Sequence, residues 1–336
     1  MRWIGVLCLG LFAAGAQAAP LPKLKIDAHR VAVSGLSSGA YMATQMQMAY
    51  PDIFPYAAIV AGGPYACANG KLDVALSTCM KGAPAADVPT LVTKAIGRAD
   101  AGDNGALKYL AHGKVYLLHG KEDATVAPAV AEAGAQFYKR LRDTAPGLKG
   151  LQVVDDGDRA FAHNLPLREQ GDDCHKSVSP YLGHCGFDAA GEVFAQLFGK
   201  PLHAVGDAKG QLQTFNQDAY RVNGADPLLA EEGYLYVPPA CAAGKPCGLL
   251  VAFHGCKQNA AAVGEAFVKD AGFNRWADAY DVAVLYPQTR ASMAPLNPQA
   301  CWDWWGYSGS DYDTRAGVQP RWVAHVVEQL GVAPKH

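Results

Sequence analysis

The sequence GLSSG at positions 35–39, which follows the pattern G-x-S-x-G, constrains the fold of this chain more than any other feature. It lies between the apolar run 31–34 and residues 40–50, a segment without glycine or proline that predicts a helix. A second apolar run, 57–62, predicts a buried parallel strand. Two glycines around a serine permit a sharp strand-to-helix turn that exposes the serine hydroxyl. Ser37 is therefore a candidate nucleophile, and a glycine-rich turn without chemistry is the alternative.

The first nineteen residues have the pattern of a secretory signal peptide. Arg2 precedes the apolar stretch 3–14, and Ala16 and Ala18 form a small-residue cleavage site. The apolar stretch is too short to cross a bilayer. We therefore expect an exported protein without a membrane anchor, and a single catalytic domain over residues 20–336.

Cleavage would remove Cys8 and leave eight cysteines, an even number that favours disulfides in an exported protein. Eight cysteines allow 105 pairings. The alternative is a metal site at Cys174-His175 and His184-Cys185, but the chain has no C-x-x-C pair, and we expect neither a metal nor a cofactor. Proximity in sequence suggests four bridges: Cys67–Cys79, Cys174–Cys185, Cys241–Cys247 and, by remainder, Cys256–Cys301.

Composition and element order favour an α/β fold. The net charge of −2 over 336 residues shows no basic field, so we expect no nucleic-acid binding. Polar residues 206–233 form a seam between two strand-rich halves. Beyond it, apolar runs at 234–237, 248–253 and 282–286 predict strands, and 267–280 predicts a helix. This alternation predicts a mostly parallel sheet with helices on both faces.

An acid and a base follow Ser37 in the order that a serine nucleophile of this kind requires. Asp123 lies in the loop after the predicted strand 115–118, and His163 follows the predicted strand 151–154. Helix capping is the alternative for Asp123, and a surface position is the alternative for His163. Glu122 fits the acid role less well than Asp123, and His119 fits a structural role at a strand end.

An oxyanion hole needs two backbone N–H groups. The residue after the nucleophile, Ser38, supplies one of them. The apolar run 249–253 leads directly into His254-Gly255-Cys256, which makes the Cys256 N–H the candidate second donor, with an ordinary glycine turn as the alternative. Strands that usually precede the nucleophile would then be encoded last. The chain would be a circular permutation of the α/β-hydrolase order, joined through residues 206–233.

Three tryptophans and a tyrosine cluster near the C-terminus in the sequence CWDWWGY at 301–307. A core position is the ordinary expectation for such residues. The other interpretation is an aromatic wall beside the site, tied to the oxyanion loop by a Cys256–Cys301 bridge. The candidate wall residues are Trp302, Trp304, Trp305 and Tyr307.

Several of these motifs together resemble the extracellular poly(3-hydroxybutyrate) depolymerases whose oxyanion element lies C-terminal to the serine motif. They are SGLSSGAYMA at 34–43, AGGPY at 61–65, GYLYVP at 233–238, HGC at 254–256 and CWDW at 301–304. The resemblance implies a circularly permuted α/β-hydrolase fold and hydrolysis of a polyester or its hydroxyalkanoate oligomers. It also implies a polymer contact by a tryptophan near position 302.

The resemblance supports each candidate residue in its role: Ser37 as nucleophile, Asp123 as acid, His163 as base, and Ser38 and Cys256 as oxyanion donors. The sequence ends at His336, and we expect no linker and no separate polymer-binding domain. Either adsorption to solid polyester would then use the surface of the catalytic domain itself, or the natural substrate would be amorphous polymer or a soluble oligomer. Two alternatives stay open. One is an esterase acting on feruloyl or acetyl-xylan esters, and the other is an inactive binding protein on the same fold.

Overall fold

A computed structural model describes residues 20–332, so the predicted signal peptide lies outside the described residues. The strands, in chain order, are β1 (Ile26–Leu36), β2 (Tyr56–Val60), β3 (Lys114–Gly120), β4 (Gln152–Arg159), β5 (Leu165–Leu167), β6 (Asp172–Asp173), β7 (Leu182–His184), β8 (Gln211–Asn216), β9 (Glu232–Val237), β10 (Cys247–Phe253), β11 (Val282–Tyr286), β12 (Ser292–Met293) and β13 (Leu296–Asn297).

Helices connect most of the longer strands. Asp87 and Asp188 each accept a backbone N–H in the first turn of the helix that follows them, which satisfies one of the free donors there. The helices are α1 (Ser38–Ala49), α2 (Leu72–Leu76), α3 (Thr78–Lys81), α4 (Val88–Ala101), α5 (Pro128–Thr144), α6 (Ala189–Phe198), α7 (Pro239–Ala242), α8 (Ala260–Val263), α9 (Ala266–Asp270), α10 (Phe273–Tyr280) and α11 (Val318–Gln329).

One eight-stranded sheet organises the described chain, in the order β4-β3-β2-β1-β10-β11-β9-β8. The six strands from β4 to β11 run parallel. β9 pairs antiparallel with β11, and β8 pairs antiparallel with β9. The serine-bearing strand β1 lies between β2 and β10, although β10 is encoded more than two hundred residues later. The predicted fold class, a permuted and mostly parallel α/β sheet, is confirmed.

The sheet is buried on both faces, as a mostly parallel sheet must be. Along β1, the side chains of Val31 and Val33 join the core beneath α1 and α11, whereas Ala32 joins the core beneath α6 and α10. All seven residues of β10 are buried. Central strands enclosed in this way hold the loops at their ends in fixed positions.

Three local features differ from the sequence-based expectations. The helix predicted over 267–280 is two helices, α9 and α10, because the chain turns at Gly272 with a left-handed φ of 86°. The strand predicted over 151–154 is longer in the structure, because β4 continues to Arg159. The polar segment 206–233 contains β8, which pairs with β9 along its full length.

The eight cysteines of the described chain form four bonded pairs. These are Cys67–Cys79, Cys174–Cys185, Cys241–Cys247 and Cys256–Cys301, the pairs that proximity in sequence suggests. Cys174 and Cys185 are bonded to each other, so neither offers a thiolate to a metal ion. Within residues 20–332, no helix combines the length and the apolar character that crossing a bilayer would require.

Candidate active site

The loops at the carboxyl ends of β1, β3, β4 and β10 meet at one edge of the sheet, the edge where parallel α/β sheets bind their ligands. A cavity of about 460 Å³ opens there. It brings together four of the five residues predicted as catalytic or oxyanion groups, and these are Ser37, Ser38, His163 and Cys256.

Ser37 occupies the turn between β1 and α1. Its φ is 58°, a left-handed value that is uncommon for a residue other than glycine, and its backbone N–H donates to the Val60 carbonyl at 2.9 Å. Strain of this kind persists only where the surrounding structure enforces it. The serine side chain makes no capping hydrogen bond to α1, which leaves its hydroxyl available in the cavity.

Close packing requires both glycines of the motif. A Cβ on Gly35 would lie 2.2 Å from the Gly39 carbonyl oxygen, and a Cβ on Gly39 would lie 2.3 Å from the Phe253 carbonyl oxygen. The second contact is with the end of β10, the strand that leads into the candidate oxyanion loop. Gly39 therefore allows the turn of β1 and the loop after β10 to approach each other.

Asp123 and His163 form a direct pair. Asp123 Oδ2 lies 2.6 Å from His163 Nδ1, and the other carboxylate oxygen accepts the backbone N–H groups of Thr125 and Val126 at 2.8 and 2.9 Å. The Asp123 side chain is fully buried. Because a carboxylate only accepts, Nδ1 carries the imidazole proton, and Nε2 is left as the basic nitrogen.

Two neighbouring residues, Glu122 and His119, do not line the cavity. Glu122 pairs with His175 at 2.6 Å on the exposed surface. His119 is buried outside the cavity lining, and its Nε2 donates to the Val126 carbonyl at 3.0 Å. Burial lowers the pKa of the His119 imidazole, which keeps this second ring neutral beside Asp123.

The loop after β10 is held in place by His254. Its Nδ1 donates to the Gly255 carbonyl at 2.7 Å, and its Nε2 accepts the Thr289 N–H at 3.2 Å. The Gly255 carbonyl and the Cys256 N–H belong to the same planar peptide, so this contact also orients that N–H. Within residues 20–332, neither the Cys256 nor the Ser38 N–H donates to a protein acceptor.

The buried imidazole of His254 makes stability depend on pH. Burial lowers the pKa of His254 to about 4 from the ordinary value near 6.5, because the charged form would lose its hydration. Above the ordinary value, both folded and unfolded chains hold a neutral ring, and the full stability is present. As the pH falls from about 6.5 to about 4, only the unfolded chain takes up the proton, so stability is lost.

We expect this single group to remove about 3 kcal/mol of unfolding free energy across that range. The measurement is urea unfolding of the natural protein and of His254→Asn at several pH values. Asparagine keeps a donor for the Gly255 carbonyl but does not titrate. The difference in unfolding free energy between the two proteins should become smaller as the pH falls. A difference that stays constant with pH would show that His254 does not cause the pH dependence of stability.

The structure places two of the four candidate wall residues at the cavity and two away from it. Trp302 is 0% exposed and packs edge-on against Phe253 with ring centroids 4.9 Å apart, so it belongs to the core. The Tyr307 hydroxyl donates to the Cys301 carbonyl at 2.9 Å, and its ring does not line the cavity. Trp304 and Trp305, by contrast, line the cavity.

Trp304 and Trp305 form part of a largely apolar rim. Trp304 stacks on Tyr41 with ring centroids 4.9 Å apart and an interplanar angle of 19°, and Trp305 meets Trp304 edge-on at 5.6 Å. Three aliphatic side chains from α2, α3 and β13 complete the rim, and these are Leu76, Met80 and Leu296. Leu76 and Leu296 are about half exposed.

Sequence reasoning missed several polar residues that line the cavity, and two of them contact the candidate site. Ser177 Oγ accepts the backbone N–H of His163 at 3.0 Å, and Gln258 contacts the oxyanion loop. Ser177 lies in an irregular segment whose path no local pattern predicts. Gln258 had a weak signal, because it falls three residues after Gly255 in a tight turn.

Comparison with known proteins places these features in one family. A family model described as esterase PHB depolymerase matches residues 232–333. A poly(3-hydroxybutyrate) depolymerase of Delftia acidovorans is 37% identical over 92% of this chain, which spans 61% of that protein's length. A polyhydroxybutyrate depolymerase of Talaromyces funiculosus is 34% identical over 96% of this chain and 95% of that protein.

Solved structures show the same likeness. The crystal structure of the PHB depolymerase from Penicillium funiculosum superimposes with a TM-score of 0.80 at 31% identity, covering 93% of this chain and 98% of that one. A serine-to-alanine variant of a PHB depolymerase, complexed with an R3HB trimer, gives a TM-score of 0.80 at 30% identity over 94% and 98% of the two chains. The likeness therefore extends over nearly all of the described fold.

Proposed function

Because this chain belongs to the poly(3-hydroxybutyrate) depolymerase family, we propose that it hydrolyses the ester bonds of poly(3-hydroxybutyrate) or its oligomers. One observation carries the proposal. A single cavity is lined by Ser37 on a strained turn, by His163 paired with buried Asp123, and by two backbone amides without protein acceptors. These are the parts of an acyl-transfer site.

Ser37 is the proposed nucleophile and His163 its general base. As Ser37 Oγ attacks the ester carbonyl, His163 Nε2 takes the hydroxyl proton and becomes imidazolium. The Asp123 carboxylate, 2.6 Å from Nδ1, stabilises that charge without taking the proton. The Ser38 and Cys256 N–H groups donate to the oxygen that becomes negative in the tetrahedral intermediate.

Collapse of the intermediate breaks the bond to the alcohol half of the substrate. His163 gives its proton to the leaving alkoxide oxygen, and a hydroxyacyl ester remains on Ser37. A water molecule then attacks this ester while His163 Nε2 takes one of its protons. The acid product leaves, and the proton returns to Ser37 Oγ. The same residues therefore serve both halves of the reaction.

The rim of the cavity suits an oligomer of short hydroxyacyl units. The relative complexed with an R3HB trimer supports this substrate class. Apolar side chains at the rim, among them Trp304, Trp305, Leu76 and Leu296, can cover the methyl-bearing backbone of such a chain. We propose that Trp304 and Trp305, rather than Trp302, form the aromatic part of the wall.

Replacing Trp305 with Ala should raise KM for a soluble hydroxybutyrate trimer by about tenfold, which corresponds to about 1.4 kcal/mol of lost contact. The value of kcat should stay within about threefold, because the side chain lies at the rim and not against the reacting atoms. Steady-state kinetics on the trimer would measure both. Trp305→Phe should restore most of the affinity, whereas an unchanged KM in Trp305→Ala would remove this residue from the wall.

Export is the proposed route of this protein to its substrate. All eight cysteines of the described chain are paired, and disulfides persist in oxidising compartments outside the cytosol. Fractionation of producing cells should find the protein outside the cytosol without residues 1–19. Recovery of full-length protein in the cytosol would contradict this.

The activity is tested by presenting three substrates to the purified protein. We expect clearing of a poly(3-hydroxybutyrate) suspension and release of hydroxybutyrate from soluble oligomers, with little ferulate release from a model ester. Preferential ferulate release would favour the carbohydrate-ester alternative. Failure both to hydrolyse any ester and to react with an active-site phosphonate would indicate an inactive binding protein.

A further inference from the structure

Gln258 is a buried polar side chain in the cavity wall that the proposed reaction does not use. Its exposed fraction is 0%, and it follows the candidate oxyanion loop by two residues. Its Oε1 accepts the Gly255 N–H at 2.8 Å, and its Nε2 donates to the Pro180 carbonyl at 2.9 Å. The side chain therefore joins two loops that are 78 residues apart in sequence.

The two hydrogen-bond partners of Gln258 determine which polar atoms its side chain must present. A backbone N–H can only donate, and a proline carbonyl can only accept. The bridging group must then present one acceptor and one donor at the same distance from the main chain, as a carboxamide does. Both contacts are buried, and an unpaired polar group in such a place is costly.

One end of the bridge fixes the oxyanion loop. Gln258 holds the N–H of Gly255, while His254 Nδ1 and the Gln258 N–H both donate to the Gly255 carbonyl, at 2.7 and 3.3 Å. Gly255 is thus clamped on both sides, and the next amide in the chain is that of Cys256. Any rotation of the Gly255–Cys256 peptide would turn the Cys256 N–H away from the oxyanion.

The other end fixes the segment that supports the base. Residues 174–185 are closed by a disulfide, and this segment holds His163 through the contact from its backbone N–H to Ser177 Oγ. Asn164 Nδ2 adds hydrogen bonds to the Cys174 and Lys176 carbonyls at 2.9 and 3.2 Å. Pro180 lies in the same segment. The bridge therefore connects the oxyanion donor to the support of the general base.

We propose that Gln258 is a positioning residue that sets the Cys256 oxyanion amide relative to His163. This inference rests on the proposed esterase function. Gln258 acts through the two loops and does not itself touch the reacting atoms. Its loss should therefore lower kcat while leaving KM for an oligomer nearly unchanged, because the apolar rim that binds the substrate stays in place.

The test uses two variants of the full-length protein. Methionine has a side chain of similar length but makes neither hydrogen bond. We expect kcat of Gln258→Met to fall by about 10- to 100-fold. This fall should not exceed the one that removal of a whole oxyanion donor causes. Its KM should stay within about threefold. Circular dichroism and thermal unfolding would establish the folded fraction, so that kcat is expressed per folded molecule.

The pH dependence of kcat in Gln258→Glu distinguishes a positioning role from a merely structural one. A protonated carboxyl can accept from Gly255 and donate to Pro180, as the carboxamide does, whereas an ionised carboxylate would face the Pro180 carbonyl with a second negative oxygen. Burial raises the pKa of such a carboxyl above its ordinary value. The kcat of this variant should therefore fall with rising pH, in the range where the natural enzyme stays constant.

The matched control is Gln211→Glu, the same change at an exposed position on the edge strand β8, which should follow the natural profile. The proposal is overturned if the natural enzyme hydrolyses oligomers and both Gln258 variants match its kcat. It is also overturned if Gln258→Met only loses stability and Gln258→Glu keeps the natural pH profile. An inactive natural enzyme would instead reject the esterase function on which the proposal rests.

Discussion

Replacing Ser37 with Ala is expected to lower kcat for a hydroxybutyrate oligomer by about 10⁵-fold. The change removes the atom that we propose forms the acyl bond, and the remaining residues would offer only binding and oxyanion stabilisation. The fold should survive, because the Ser37 hydroxyl makes no capping hydrogen bond to α1. We expect the unfolding free energy to change by less than about 1 kcal/mol. Oligomer kinetics and urea unfolding on the same preparation would measure both effects.

Ser34 provides a matched control for this substitution. It lies on β1 three residues earlier, and its buried hydroxyl has no hydrogen-bond partner among the described residues. Replacing it with alanine removes an unsatisfied polar group and no catalytic atom. We expect Ser34→Ala to keep kcat within about twofold. A Ser37→Ala protein with undiminished turnover would reject Ser37 as the nucleophile.

Replacing Asp123 with Asn should lower kcat by about 10⁴-fold. The reason lies in the partners of the two carboxylate oxygens. Oδ1 accepts the N–H groups of Thr125 and Val126, so the asparagine oxygen must occupy that position. The asparagine NH₂ then faces His163 Nδ1 and donates to it. The imidazole proton moves to Nε2, and the ring can no longer accept the proton of Ser37.

The neighbouring carboxylate, Glu122, provides the matched control for Asp123→Asn. It pairs with exposed His175 and lies outside the cavity lining. Exposed ion pairs contribute little to stability. Glu122→Gln should therefore keep kcat within about twofold on the same oligomer. If the Glu122 variant lost activity and Asp123→Asn did not, the assignment of the acid would be wrong.

The sequence predicts much of this fold because its signals are local. Apolar runs identify the central strands, and the glycines of the serine motif identify the turn at Ser37. The position of His254-Gly255-Cys256 after a strand indicates that the strands at the end of the chain must lie beside β1. The sheet order confirms this, with β10 paired to β1.

Tertiary packing decides the features that the sequence leaves open. The pattern at 301–307 shows four aromatic residues but not their directions, and the turn buries Trp302 while Trp304 and Trp305 face the cavity. The 174–185 segment has no periodicity, so nothing local predicts that Ser177 reaches His163. Contacts of this kind depend on where distant segments of the chain meet.

The central claim is that Ser37 carries the acyl group during ester hydrolysis, and rapid-quench mass spectrometry tests it most directly. The natural protein is mixed with an (R)-3-hydroxybutyrate oligomer, quenched in acid before the first turnover is complete, and digested for peptide mapping. We predict a hydroxybutyryl adduct on the peptide that contains Ser37, and none on that peptide in Ser37→Ala. An adduct on a different residue, or turnover by the natural protein with the same adduct present in Ser37→Ala, would contradict the account.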